Sequence, residues 1–378
     1  MLKCKKTIKE MMIMKKYSIK VLSAVFVFVF ICSAFAGCSA SAEPDVISIS
    51  SAGEIIADIH TAAQESYIGK AYTKTGAANG KKEKSRPMPV KFQWDAGDTD
   101  DYLFRISENS DMSDADVYTI NTNEIEIYNL KIAKTYYWTV TINGKESEIK
   151  SFSTCTNAPR NLYVDGVTNV RDLGGWETED GIRTNQNLIF RCGRLNESSA
   201  EKPVIEITDA GKEVMIYELG IKTEIDLRKT DTGEVGGITE SPLGSSVQYV
   251  SCPMEWEGDT FNGNKEQLLK VFSILADENN YPVIFHCNIG TDRTGMIAYL
   301  INALLGVSDD DLHRDYLFSN FGNIGGKRKA SGLEESVYYK SVAAAEGDTL
   351  SEKAFNCLVD FGVPAEQLDA IRDILLPH

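Results

Sequence analysis

Apolar and polar residues alternate with a period of two along Val90-Lys91-Phe92-Gln93-Trp94, Tyr102-Leu103-Phe104-Arg105-Ile106 and Glu124-Ile125-Glu126-Ile127-Tyr128. That is the spacing of strands that bury one face. Thr135–Ile142 and Glu148–Phe152 continue the series around an Asn143-Gly144 dipeptide, which suits a tight hairpin because both residues tolerate positive φ. Short strands at regular spacing predict a small all-β sandwich over 86–155. From residue 156 onward the pattern changes. Short apolar runs at Leu188–Arg191, Thr223–Leu227, Val247–Ser251 and Val283–His286 alternate with helical periodicity at Lys265–Ala276, Thr294–Leu305, Asp309–Phe318, Glu352–Phe361 and Glu366–Leu376. This predicts an α/β domain over 156–378 with a mostly parallel central sheet. Residues 38–85 are polar, with Gly69, Gly76, Gly80 and the run Lys81-Lys82-Glu83-Lys84. They predict a tether, with one helix near Glu54–Gln64.

The first 37 residues have a different character. Lys15, Lys16 and Lys20 precede an apolar run from Val21 to Ala36, which ends in Phe35-Ala36-Gly37-Cys38. A basic start, a short apolar core and small residues form the pattern of a secretory signal, and the run is short for a full membrane span. Small residues directly before a Cys resemble a bacterial lipoprotein signal. The resemblance implies lipidation at Cys38, an extracytoplasmic location and anchorage to the cell membrane. Met14 would then make a normal signal start.

Composition narrows the partners. The chain has 378 residues and a formal net charge of -16, a length for about two domains. Without residues 1–37 it would carry 32 basic and 54 acidic residues, a net -22. Such a balance argues against a nucleic-acid partner and leaves membrane attachment to the lipid alone. Beyond Cys38, the cysteines Cys155, Cys192, Cys252, Cys287 and Cys357 are too sparse for a disulfide scaffold. Cys192 or Cys252 could shield Cys287 as a reversible disulfide partner; burial as small hydrophobes is the plainer assignment. His60, His286, His313 and His378 show no metal-ligand spacing, so neither metal nor cofactor is expected.

The chemistry is concentrated in His286-Cys287-Asn288-Ile289-Gly290-Thr291-Asp292-Arg293-Thr294-Gly295. A buried strand feeds the loop and a helix leaves it, so backbone N–H groups and the helix dipole can gather around an anion. Gly290 and Gly295 permit close backbone approach. A free thiol has a pKa of about 8.5, and a helix N-terminus with basic neighbours lowers it, so Cys287 is expected to be a thiolate nucleophile. Arg293 can grip two phosphoryl oxygens, Thr294 is placed to donate to the departing sulfur, and His286 to fix the loop. Cys and Arg at this spacing are common by chance; the whole string between a strand and a helix is far more specific.

This string resembles the protein tyrosine phosphatase superfamily, in particular its secreted bacterial branch with the pattern HCxxGKDRTG. Asn169-Val170-Arg171-Asp172-Leu173-Gly174-Gly175, Leu188-Ile189-Phe190-Arg191-Cys192-Gly193, Ile225-Asp226-Leu227-Arg228 and Asp315-Tyr316-Leu317-Phe318-Ser319-Asn320 resemble its other motifs. Coverage runs from about 160 to 378. The resemblance implies a cysteinyl-phosphate mechanism on phosphotyrosine proteins or other phosphomonoesters. Thr291 stands where the branch often has Lys. Such a Lys would hold a second phosphate, so Thr291 favours phosphotyrosine over phosphoinositide. Within 86–155, Leu130 followed by Tyr136 and Trp138 resembles the tyrosine corner of fibronectin type III modules, which bind or space.

A general acid is also required. Asp292, inside the loop, is the first choice; its plainer role is to orient Arg293 or cap the helix. Asp226, at a strand end beside Arg228, is the second, against a simple ion pair with Arg228. Asp259, in the Glu257-Gly258-Asp259 loop, is the third, against a solvated loop carboxylate. Three function classes follow: a lipid-anchored protein-tyrosine phosphatase, a phosphoinositide or inositol-phosphate phosphatase, and a surface binding protein with a weakly active phosphatase domain. An arsenate reductase shares the Cys-x5-Arg spacing but would need resolving cysteines and fits export poorly.

Overall fold

A computed structural model describes residues 46–48, 54–73, 78–95, 101–198 and 205–378. The signal segment and Cys38 lie outside the described residues. The chain divides into two compact units, one drawn from 46–61 and 88–156, the other from 62–87 and 157–378.

The first unit contains two sheets. β1 (Val46–Ser48), β3 (Val90–Gln93) and β6 (Glu124–Ile127) form one, in the order β1-β3-β6. β2 (Ile56–Ala57), β9 (Lys150–Thr154), β7 (Thr135–Ile142), β4 (Tyr102–Ser107) and β5 (Asp116–Ile120) form the other in that order, with β8 (Lys145–Glu146) folded back on β7. Asn143 and Gly144 both take positive φ between β7 and β8, as the hairpin dipeptide predicts. The alternating inward residues meet in an aromatic core. Phe92 packs 4.9 Å from Phe104 and 5.2 Å from Trp138, centroid to centroid. The Tyr136 hydroxyl accepts the Lys131 N–H at 2.9 Å, tying the chain ahead of β7 to that strand.

The second unit is mixed α/β. Its sheet runs β10 (Arg171–Asp172), β11 (Ile189–Cys192), β14 (Val283–His286), β12 (Thr223–Asp226), β13 (Gln248–Ser251). β11 and β12 flank β14 in parallel, β13 continues parallel to β12, and β10 is antiparallel to β11. Every residue of β14 is buried, which is why it reads as a continuous apolar run rather than an alternating one. The helices are α1 (Ala62–Ile68), α2 (Asp209–Glu213), α3 (Lys265–Leu275), α4 (Arg293–Leu304), α5 (Asp309–Phe318), α6 (Ala330–Glu334), α7 (Val337–Ala344), α8 (Leu350–Phe361) and α9 (Ala365–Leu375). α4, which follows the chemical loop, is buried at every position and packs against α5 and α8.

The tether expected over 38–85 is corrected in its second half. Residues 62–87 belong to the second unit because they bury apolar surface there. Tyr67 packs 5.9 Å from Phe321, and Ile68 joins Phe318 and Phe321 in one cluster. Gln64 Nε2 donates to the Lys84 and Arg86 carbonyls at 2.8 and 3.0 Å, holding the polar strap 78–87 against the helix. The helix expected near Glu54 begins only at Ala62, since Ile56 and Ala57 pair with β9.

Candidate active site

β14 ends at His286, α4 starts at Arg293, and Cys287 opens the loop between them. Cys192 and Asp226 are the Cα partners of His286 on the two neighbouring strands. The loop therefore emerges where the carboxyl ends of three parallel strands meet, the place where open α/β sheets bind ligands.

The carbonyls of His286, Asn288, Ile289 and Gly290 are drawn onto the scaffold. Leu227 N–H takes the His286 carbonyl at 2.9 Å and Arg194 N–H the Asn288 carbonyl at 3.1 Å. Asn169 Nδ2 donates to the Ile289 and Gly290 carbonyls at 3.1 and 3.0 Å, and Arg191 Nη2 reaches the Gly290 carbonyl at 2.8 Å. Among the described residues, none accepts a hydrogen bond from the backbone N–H groups of 288–293. With the carbonyls held back, these donors and the start of α4 form a nest for an anion.

Buried charges carry that scaffold. Asp315 Oδ1 accepts Arg171 Nε at 2.8 Å and its Oδ2 accepts Arg191 Nη1 at 2.5 Å. Arg171 also bonds Asn169 Oδ1. Burial and the neighbouring Arg171 bring the Arg191 pKa down to about 10, so it stays charged at neutral pH.

The two loop glycines differ. Gly290 has φ +68, and a Cβ there would lie 2.4 Å from the Cys192 carbonyl oxygen. The close backbone approach that Gly295 would permit is not used: a Cβ there would find only ordinary contacts from 3.7 Å, to Arg191 and Tyr316. Gly290→Ala should therefore lose more than about 2 kcal/mol, combining left-handed strain with overlap, and should disable the loop. Gly295→Ala should be neutral or stabilising by up to about 1 kcal/mol, since alanine is the better helix former. Urea unfolding of both variants checks this; equal losses would overturn the assignment.

Arg293 is already clamped. Glu234 takes its Nη1 at 2.8 Å and its Nη2 at 2.6 Å, and the Leu227 and Met254 carbonyls accept Nη1 at 3.2 and 3.3 Å. Burial alone would lower the arginine pKa, but Glu234 and the nearby Cys287 raise it overall. Glu234 also accepts Asn288 Nδ2 and, at 2.8 Å, the Lys229 N–H. Sequence reasoning missed Glu234; a lone acid in a glycine-flanked loop gives no spacing signal.

The acid candidates separate. The Asp292 carboxylate is half-exposed, caps no helix N–H, and pairs with Arg328 at 3.2 and 3.0 Å. Both residues line a cleft of about 390 Å³ with Arg293, Trp256, Tyr316 and Tyr338. Asp226 is corrected: it is fully buried. Arg228 holds it from Nε and from Nη2 at 2.7 Å, and the Tyr249 hydroxyl at 3.0 Å. Burial pushes its pKa up, but His286 and Arg228 outweigh that and keep it below the ordinary value. It is a structural counterion behind the loop. Arg228 likewise turns inward, to Asn196. Asp259 is exposed and accepts the Asn262 N–H at 3.0 Å, a turn-capping role.

The remaining residues fall into place by contact. His286 Nε2 lies 2.9 Å from Glu224 Oε1, and the other Glu224 oxygen accepts the Ser241 hydroxyl. Glu224, Asp226 and His286 bring ligand-type atoms within 4.8 Å of one another, but Ser241, Arg228 and Tyr249 already occupy the carboxylates. The expected Thr294–Cys287 contact is not made: the buried Thr294 hydroxyl has no partner. Thr291 is buried, its hydroxyl 3.4 Å from the Ile289 carbonyl. It offers no side chain to a substrate, and only its N–H faces that task. Cys192, Cys252 and Cys287 are free thiols, and burial raises Cys192 and lifts Cys252 to about 11, so neither is poised to attack.

With this geometry in view, a family model described as the tyrosine phosphatase family matches residues 162–371. A provisionally named tyrosine-protein phosphatase of Cupriavidus necator is 28% identical over 189 residues, covering 43% of this chain and 64% of that protein. A tyrosine-protein phosphatase of Nostoc commune is 26% identical over 136 residues, 30% of this chain and 45% of that protein. The triple specificity protein phosphatase PtpB of Mycobacterium tuberculosis is 33% identical over 88 residues, 23% of this chain and 31% of that protein. The chain thus spans less than two thirds of the length of each of these relatives.

Proposed function

This chain belongs to the tyrosine phosphatase family, and on that premise we propose that it is a phosphomonoester hydrolase, foremost a protein-tyrosine phosphatase, acting through a cysteinyl-phosphate on Cys287. The observation that carries the reading is the loop itself: the carbonyls of Asn288, Ile289 and Gly290 are bound away, and among the described residues none accepts from the N–H groups of 288–293 beside Cys287 and Arg293.

In the first step the Cys287 sulfur attacks phosphorus, the P–S bond forms and the P–O bond to the leaving group breaks. The loop N–H groups and the Arg293 fork hold the non-bridging oxygens, where charge spreads during transfer. Glu234 fixes the fork before substrate arrives, so little reorganisation remains. The protonated Asp292 carboxyl gives its proton to the leaving oxygen. In the second step the Asp292 carboxylate takes a proton from water, the water oxygen attacks phosphorus, and the P–S bond breaks to return the thiolate. The Trp256, Tyr316 and Tyr338 side chains around the cleft favour an aromatic leaving group, and so phosphotyrosine.

The enzyme is also proposed to be exported and held at the membrane through a lipid on Cys38, from the Phe35-Ala36-Gly37-Cys38 pattern. The first unit is proposed to be a fibronectin type III-like sandwich; the Tyr136–Lys131 bond supports this as its tyrosine corner.

Phosphate release from a phosphotyrosine peptide, a phosphoserine peptide and a phosphoinositide tests the reading. The phosphotyrosine peptide is expected to lead by at least about tenfold, the discrimination that pocket contacts commonly give. No release from any of them would end the enzymatic assignment, and a lead for the phosphoinositide would reassign the substrate.

A further inference from the structure

We propose that a basic face beside the cleft selects phosphotyrosine segments flanked by acidic residues; the inference rests on the phosphatase reading and names its substrate class more narrowly. The face joins two stretches far apart in sequence. The strap 78–87 carries Lys81, Lys82, Lys84 and Arg86 against one acid, and the stretch 322–329 carries Lys327, Arg328 and Lys329 with none, in a chain whose net charge is -16.

The two stretches are stitched together. Gly80 N–H donates to the Asn320 carbonyl at 2.8 Å, Ile324 N–H to the Gly80 carbonyl at 3.0 Å, and Lys84 N–H to the Phe321 carbonyl at 2.6 Å. Arg328 N–H bonds Asn320 Oδ1 at 2.6 Å and its carbonyl accepts Asn320 Nδ2 at 3.0 Å. At Gly80 the backbones approach so closely that a Cβ would lie 2.4 Å from the Gly326 carbonyl oxygen.

The single acid in the strap is consumed internally. One Glu83 carboxylate oxygen accepts the Ser85 N–H at 2.9 Å and the Ser85 hydroxyl at 2.5 Å. The other accepts the Thr168 hydroxyl and the Asn323 N–H. Lys81, Lys82, Lys84, Lys327 and Lys329 are exposed and form no ion pair among the described residues. Five unpaired cations held on one hydrogen-bonded scaffold repel one another, an arrangement that an anionic partner relieves.

The face borders the catalytic loop on two sides. Arg328 lines the cleft with Asp292 and Arg293. Asn323 lines a second cavity of about 360 Å³ with Asn288 and Ile289 of the loop. An extended peptide advances about 3.3–3.6 Å per residue, so acids within a few positions of the phosphotyrosine would reach the lysines. The buried Thr291 supplies no cation inside the loop; the cations stand outside it, where they read the surroundings of the phosphate.

The test compares one phosphotyrosine peptide with glutamates on both sides, the same peptide with alanines, and p-nitrophenyl phosphate. Wild type is expected to prefer the acidic peptide roughly tenfold in kcat/KM, expressed in KM and in association. In the quadruple variant Lys81→Glu, Lys82→Glu, Lys327→Glu, Lys329→Glu the preference should vanish or reverse, with p-nitrophenyl phosphate turnover unchanged. Raising ionic strength from about 0.05 M to about 0.5 M should erase it in wild type, because exposed charges are screened. The Lys→Gln quadruple is the milder counterpart if the Glu set perturbs folding. Equal turnover of both peptides by wild type, or a preference that survives charge reversal, overturns the proposal. Fluorescence anisotropy of a labelled, unphosphorylated acidic peptide reads the face without catalysis. Binding lost in the variant supports it even if no phosphate is released, whereas binding unchanged by the variant overturns it.

Discussion

Replacing Cys287 with serine is expected to lower turnover of a phosphotyrosine peptide by at least about 10⁴-fold, the order seen when a covalent nucleophile is removed. Serine differs by one atom, so the 2% exposed site and the fold around it should survive. What changes is the attacking group. A hydroxyl is not ionised at neutral pH, and the buried Thr294 hydroxyl nearby in sequence makes no hydrogen bond that could activate it. The anion nest is built from backbone N–H groups, Asn169, Arg191 and the Glu234-held Arg293, none of which the substitution touches. The variant should therefore still bind the phosphopeptide, with a dissociation constant near the wild-type KM, and hold it unturned. Phosphate release together with calorimetric binding checks both halves. Residual activity within about tenfold of wild type would sink the cysteinyl-phosphate mechanism.

The largest effect on stability is expected at Asp315, which pairs with two buried guanidiniums, those of Arg171 and Arg191. Asp315→Ala leaves Arg171 and Arg191 without their carboxylate in a site where water is excluded. Removing one partner from a buried ionic group costs about 3–5 kcal/mol, because the remaining charges stay desolvated. The second unit should unfold at markedly lower urea while the first is unaffected, and activity should fall with it, since Arg191 and Asn169 hold the Gly290 carbonyl. The sign of the pH dependence follows from the same contacts. Burial pushes Asp315 up, but Arg171 and Arg191 win and hold its carboxyl below the ordinary value of 3.8. A group depressed in the folded state contributes stability that is fully present above its unfolded pKa and is lost as pH falls through its folded pKa. The gap between wild type and variant should thus be constant near neutrality and narrow below that ordinary value. A loss under about 1 kcal/mol at neutral pH, the scale of a single net hydrogen bond, would mean that other acceptors satisfy the two arginines.

The elements around the site were legible because their signals are local. β14 is a run of apolar residues, α4 begins at the loop's arginine, and α5 and α8 show an apolar face. The short α6 and α7 were not, since the Glu335-Ser336 break leaves each with too few turns for a period to show. They nonetheless bring Tyr338 to the cleft. The strap 78–87 looked like a tether because its composition is polar. It is held by backbone hydrogen bonds to 320–324, a partner that composition does not reveal.

The same division runs through the chemistry. The sequence by itself determined the proposed nucleophile, its candidate arginine and the loop between them, because an anion nest at a helix N-terminus is made by consecutive residues. It also carried the family resemblance, through motifs that are themselves contiguous. Only the tertiary structure decided the rest. Asp292 ranks ahead of Asp226 on paper, but both remain candidates there; packing buries Asp226 against Arg228 and leaves Asp292 half-exposed at the cleft beside Arg328. Glu234 reaches Arg293 across 59 positions of chain, and Asp315 reaches Arg191 across 124. Whether a carboxylate donates a proton, clamps an arginine or neutralises a buried charge depends on what faces it and on how far water is excluded, and both are set by contacts distant in the chain.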